Sequence, residues 1–80
     1  VLDDNGQRDV IKVLKATYKA SRIAGAFNGY HVVSNTVGSG DRFYFMALLD
    51  RLVELKEIRE VSGNNVCGQD RIFVVAGAGF

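Results

Sequence analysis

The chain is 80 residues long, 48% hydrophobic and 24% charged. That is the composition of one folded domain, and it excludes a disordered tail or a second core. Ten basic residues oppose nine acidic ones, and the formal charge of +1 excludes a polycation that coats nucleic acid through bulk charge alone. One cysteine, Cys67, and one histidine, His31, exclude an internal disulfide framework and a multi-cysteine zinc site.

No apolar run approaches the roughly 18 residues of a membrane span, and no signal-peptide pattern is present. The expectation is an intracellular, cytoplasmic chain, or a nucleoid-associated or nuclear one, with no membrane, metal or cofactor partner. Val1 in place of an initiator Met reads as a processed product or an excised domain. A domain this small buries only about 60–65% of its unfolded surface. Its stability must come from aliphatic and aromatic packing, with dimerisation as an aid. Proline is absent, so turns fall to glycine and to Asn, Asp and Ser clusters.

Asp3-Asp4-Asn5-Gly6 is a turn-and-cap cluster. Residues 7–24 follow a helical period, with Val10, Val13, Leu14, Thr17, Tyr18, Ser21 and Ala24 on one side. Arg8, Lys12, Lys15, Lys19 and Arg22 form a continuous basic stripe on the other. This stripe is either the solvated face of an amphipathic helix or a surface that lies along phosphates. Gly25 and Asn28-Gly29 break the helix.

Residues 30–37 are mixed: His31, Val32 and Val33 favour a strand, while Ser34 and Asn35 do not extend one. A short helix is the preferred reading, because Gly38-Ser39-Gly40-Asp41 is then a turn ending in an N-cap. Residues 41–57 form the clearest helix. Phe45, Leu48, Leu49, Leu52, Leu55 and Ile58 make its buried stripe, with Met46 and Val53 at the edge. Arg51 and Glu54 are exposed at i, i+3.

The period then changes. Ile58-Arg59-Glu60-Val61 reads as a half-buried strand, residues 62–70 as a Gly/Asn-rich loop, and Arg71–Val75 as a returning strand. These make a hairpin over residues 58–75, with a flexible tail at 76–80. His31 reads as a partly buried structural residue and Cys67 as an ordinary free thiol. No nucleophile, base and orienting group can be assembled, so an enzyme is not expected. Gly38-Ser39-Gly40 is too short for a phosphate loop.

The run Met46–Val61, followed by Gly68–Val75, resembles the recognition-helix-to-wing passage of bacterial and phage winged helix–turn–helix regulators. In these an LLxxLVxxGxIxR run enters the wing and a DxRxxxV strand returns. Leu48, Leu49, Leu52, Val53, Leu55 and Ile58 take the apolar positions, and Asp70, Arg71 and Val74 fall near the returning-strand positions. Lys56 stands at the usual glycine, so the helix is expected to stop without a residue suited to left-handed backbone.

The resemblance implies an α+β winged helix–turn–helix, three helices followed by a β-hairpin wing, as a single domain over residues 1–80. It implies double-stranded DNA binding, as a small transcriptional regulator or as a module of a larger protein, and a homodimer would suit paired half-sites. The residues near the start of the third helix would read or touch DNA: Ser39, Arg42, Phe43 and Tyr44, with Arg51 farther along. The wing would add Asn64, Asn65, Gln69 and Arg71, and Lys12, Lys15 and Lys19 would reach phosphates. Phe43 packs on the preceding turn or contacts thymine methyls or a partner. The alternative is a winged-helix protein–protein module without nucleic-acid contact. The near-neutral charge and the acidic outer half of the third helix favour it.

Overall fold

The computed structural model describes residues 3–63, 66 and 68–76. Helix α1 runs Asp4–Ala24, strand β1 Phe27–Asn28, helix α2 Gly29–Val37 and helix α3 Arg42–Glu54. Strand β2, Ile58–Glu60, and strand β3, Ile72–Val75, follow, with a 3-10 turn, Gly68–Asp70, between them. The sheet is antiparallel in the order β1-β3-β2. Three helices with a hairpin whose inner strand also pairs with β1 form a winged-helix topology.

Each helix starts where a side chain satisfies a free backbone N–H. Asp3 accepts from Gly6 at 2.8 Å, Asn28 from His31 at 2.9 Å, and Asp41 from Tyr44 at 2.9 Å. The cap at Asp3 starts α1 three residues earlier than the apolar period suggests. Strand β1 is not expected from the sequence. Two residues carry no period of their own, and this strand exists because β3 has a second edge to pair.

The core joins every element: Val10 and Val13 of α1, Phe27 of β1, Val33 of α2, Phe45, Leu48, Leu49 and Leu52 of α3, Ile58 of β2, and Phe73 and Val75 of β3. Thr17 is fully buried, and its hydroxyl donates to the Leu14 carbonyl at 2.7 Å. The last turn of α1 stands clear of the core, so Ala24 is exposed rather than buried, and Tyr18 earlier in the helix is exposed as well. His31 is also exposed, with Asn35 Nδ2 3.1 Å from its Nε2.

Residue Phe73 is fully buried in the middle strand, opposite both Phe27 and Glu60. Its ring stacks on Phe27 with centroids 6.1 Å apart. Helix α2 comes down onto that ring at Gly29. A Cβ there would lie 2.5 Å from Phe73 Cε1 and 2.9 Å from Leu49 Cδ1. Both neighbours are fully buried, so neither can yield.

Helix α3 ends at Glu54, three residues before the period suggests. Lys56 takes the left-handed backbone, φ 63°. The Lys56 N–H bonds the Val53 carbonyl and the Glu57 N–H bonds that of Leu52, at 2.9 and 3.0 Å, which closes the helix as a Schellman motif. The turn lifts Leu55 out of the predicted buried stripe and delivers Ile58 to the core from β2 instead. In β2 the alternation places Glu60 on the side of Ile58 and leaves Val61 exposed. Ala76 is not frayed: its N–H bonds the Glu57 carbonyl at 3.0 Å. Residues 77–80, the rest of the predicted tail, lie outside the described residues, as does Cys67.

Two substitutions test this packing by urea denaturation. Gly29→Ala should lower stability by about 1–3 kcal/mol through overpacking on Phe73. Lys56→Gly should raise it by about 1 kcal/mol by relieving the left-handed side-chain clash.

Candidate nucleic-acid interface

Helical geometry places Phe43, Ala47, Asp50 and Glu54 along the row of α3 farthest from Phe45, Leu48, Leu49 and Leu52. That outer row holds two apolar side chains and two carboxylates, and no cation. Phe43 is 73% exposed, so it does not pack on the preceding turn. Arg42 is exposed beside it, its guanidinium 5.3 Å from the ring centroid. Arg51 is ion-paired with Glu54 on the same helix.

Two of the residues that sequence reasoning assigned to DNA contact are engaged inside the protein. The Tyr44 hydroxyl donates to Asp9 Oδ2 on α1, 35 residues away in sequence, so it fastens α3 to α1. Contact with a phosphate would require it to give up that bond. Arg71 is largely covered. It meets both Glu60 oxygens at 3.0 Å, Asp50 at 3.2 Å and the Met46 sulfur at 3.4 Å, and it lies 5.1 Å above the Phe73 ring. A bidentate, half-buried arginine of this kind ties β3 to β2 and α3.

The Arg71 guanidinium, helped by the Ser62 hydroxyl at 2.7 Å, holds the Glu60 carboxyl below its ordinary range. The same carboxylate raises the Arg71 value. At Tyr44 the bond to Asp9, together with burial, pushes the phenol up to about 12.

The 3-10 turn Gly68–Asp70 lies against the body of the protein. Gln69 is exposed, but its carbonyl accepts from Asn28 Nδ2 at 2.7 Å, which holds the 3-10 turn against the start of α2. Asn64 and Asn65 lie outside the described residues.

The basic stripe has the opposite character. Arg8, Lys12, Lys15, Lys19 and Arg22 are all exposed, on the side of α1 away from Val10, Val13 and Thr17. None of the five forms an ion pair among the described residues; Arg8 bonds the neutral Asn5. At one end the stripe enters a cleft of about 400 Å³ whose lining includes Arg8, Asp9, Lys12, Ser39, Gly40 and Tyr44. The α2–α3 turn and the base of α3 therefore share a recess with two α1 cations. Ser39 is exposed there.

Asp9 and Asn28 are the structural partners that sequence reasoning missed. Local order does not show these long-range bonds, because each joins residues 35 or more positions apart, although Asn28 also caps α2 locally. Among the described residues no helix is long and apolar enough to cross a membrane. The architecture, three helices and a three-stranded antiparallel sheet, has a winged-helix-like shape. Comparison with protein-family models, with curated proteins and with solved structures returned no match.

The Tyr44 bond makes a signed pH prediction. The neutral phenol is the form that donates to Asp9, so its contribution is fully present below the ordinary value of 10.0 and is lost as pH rises through about 12. An ultraviolet titration of the three tyrosines should show one step near pH 12, and Tyr44→Phe should remove that step.

Proposed function

We propose that this chain binds double-stranded DNA through its phosphate backbone, with α1 as the principal contact. The observation that carries the reading is the segregation of cations. Five exposed basic side chains with no ion pair among the described residues lie on one face of α1, while Arg51 and Arg71 are neutralised by carboxylates of their own half of the chain. From Arg8 to Arg22 the stripe spans roughly 21 Å at 1.5 Å per residue. That is the axial length of about six phosphates of one strand.

The outer row of α3 argues against deep insertion of that helix in the major groove, since Asp50 and Glu54 would face phosphates and base edges. Arg42 and Ser39, at the start of α3 and in the turn before it, are the exposed polar members of the expected recognition surface there, beside the exposed Phe43. They extend the α1 track past the cleft. A second reading, a protein–protein module, is favoured by Phe43, whose exposed ring lies in line with Ala47 along the outer row of α3, beside the Arg42 guanidinium.

Anisotropy of a labelled duplex over a salt series separates the two. Lys12→Gln/Lys19→Gln should weaken binding evenly across sequences. It should also flatten the slope of log K against log salt by about 2, because two phosphates are no longer neutralised. Unchanged affinity and slope would remove the DNA reading and leave the protein-module one.

A further inference from the structure

Asn-Gly occurs twice in the chain, at Asn5-Gly6 and at Asn28-Gly29. This dipeptide readily loses the asparagine amide, because glycine has no side chain to hinder the approach of its backbone nitrogen to the asparagine Cγ. The two pairs are alike in sequence, but the fold holds them differently.

Asn28-Gly29 is closed to this chemistry. Asn28 Oδ1 accepts from the His31 N–H at 2.9 Å, and its Nδ2 donates to the Gln69 carbonyl at 2.7 Å. The Gly29 nitrogen, which would have to attack, donates to the Arg71 carbonyl at 3.1 Å, and Gly29 is buried against Phe73. Freeing it means parting α2 from the sheet. Asn5-Gly6 lies in the first turn of α1, where backbone N–H groups have no helix carbonyl to bond. The Gly6 N–H is held instead by the Asp3 side chain, at 2.8 Å. Asn5 is exposed, and its Oδ1 accepts from Arg8 Nη2 at 2.5 Å. That guanidinium polarises the amide carbonyl and faces the oxygen on which negative charge collects when the nitrogen attacks.

We infer that Asn5 is a deamidation site of the folded protein and that its product withdraws Arg8 from phosphate contact; the second half rests on the DNA reading above. The Gly6 nitrogen bonds to Asn5 Cγ, the Cγ–Nδ2 bond breaks, and ammonia leaves with the proton that Gly6 gives up through water. Water then opens the cyclic imide to aspartate or isoaspartate. A neutral amide has become a carboxylate beside the Arg8 guanidinium, at the i, i+3 spacing of a helical ion pair. The start of a helix favours negative charge, so the aspartate form keeps the fold. The stripe loses Arg8 at the cleft that Asn5 and Arg8 both line.

Peptide mapping by mass spectrometry, on the chain held in mildly alkaline buffer, reads both sites at once. The folded chain should convert Asn5 roughly tenfold or more faster than Asn28, which waits on opening of the core. In urea the gap should close. Asn5→Gln should abolish the faster reaction, because its longer side chain closes a larger ring far more slowly. Equal rates in the folded chain, a gap that persists in urea, or an Asn5 that stays intact while the unfolded chain converts overturns the inference. Asn5→Asp reproduces the product. It should flatten the slope of log K against log salt by about 1, half the effect of Lys12→Gln/Lys19→Gln. A wild-type slope in Asn5→Asp, with the lysine pair still effective, overturns the withdrawal of Arg8. A lysine pair without effect removes the DNA reading and the Arg8 step with it, while the mapping still decides the deamidation.

Discussion

The contact between Gly29 and the Phe73 ring is the constraint on which the rest of the structure depends. Phe73 lies in the middle strand, so it fixes β1 on one side and β2 on the other. Helix α2 can reach the sheet only because its first residue has no side chain. Once α2 is seated there, Leu49 of α3 closes against the same point, and the angle between the two helices is set. Arg71 completes the arrangement from the other side. It covers the ring while binding Glu60 and Asp50, so the same aromatic side chain organises an apolar layer and the ionic cluster above it.

That cluster shapes the surface by subtraction. Arg71 and Arg51 are consumed by Glu60, Asp50 and Glu54, and these acids are in turn partly neutralised. The C-terminal half contributes little net field, although it contains as many basic residues as the N-terminal half. The +1 of the whole chain thus conceals a polar distribution: a cationic α1 on one side, and on the other an α3 whose outer row is apolar and acidic. The basic stripe looks away from the protein, and Ile11 lies on the flank of α1 that faces α3.

Much of the architecture can be read from the amino-acid order. The three helices and the two hairpin strands follow from periods of 3.6 and 2 and from cap residues such as Asp41, because these depend on neighbours within a few positions. The features that escape such a reading are of another kind. Strand β1 is too short to carry a period. The absence of glycine at Lys56 shows that α3 needs an unusual ending, but not that the lysine adopts the left-handed conformation itself. Phe43 and Leu55 resemble core residues by composition, and their exposure depends on where the helix starts and stops against the sheet.

The candidate DNA residues divide in the same way. That Lys12, Lys15 and Lys19 share one face is a matter of helical spacing, and the sequence alone determines it. Whether a given arginine or tyrosine is available is not. Arg42 and Arg71 are chemically equivalent in the sequence, yet one is exposed and the other bound by two carboxylates. Tyr44 is committed to Asp9, 35 residues earlier. Local order determined the elements and the basic stripe, because propensity, period and capping act over one or two turns. Only the tertiary structure decided which polar groups pair, because Coulomb and hydrogen-bond partners are chosen by distance in space.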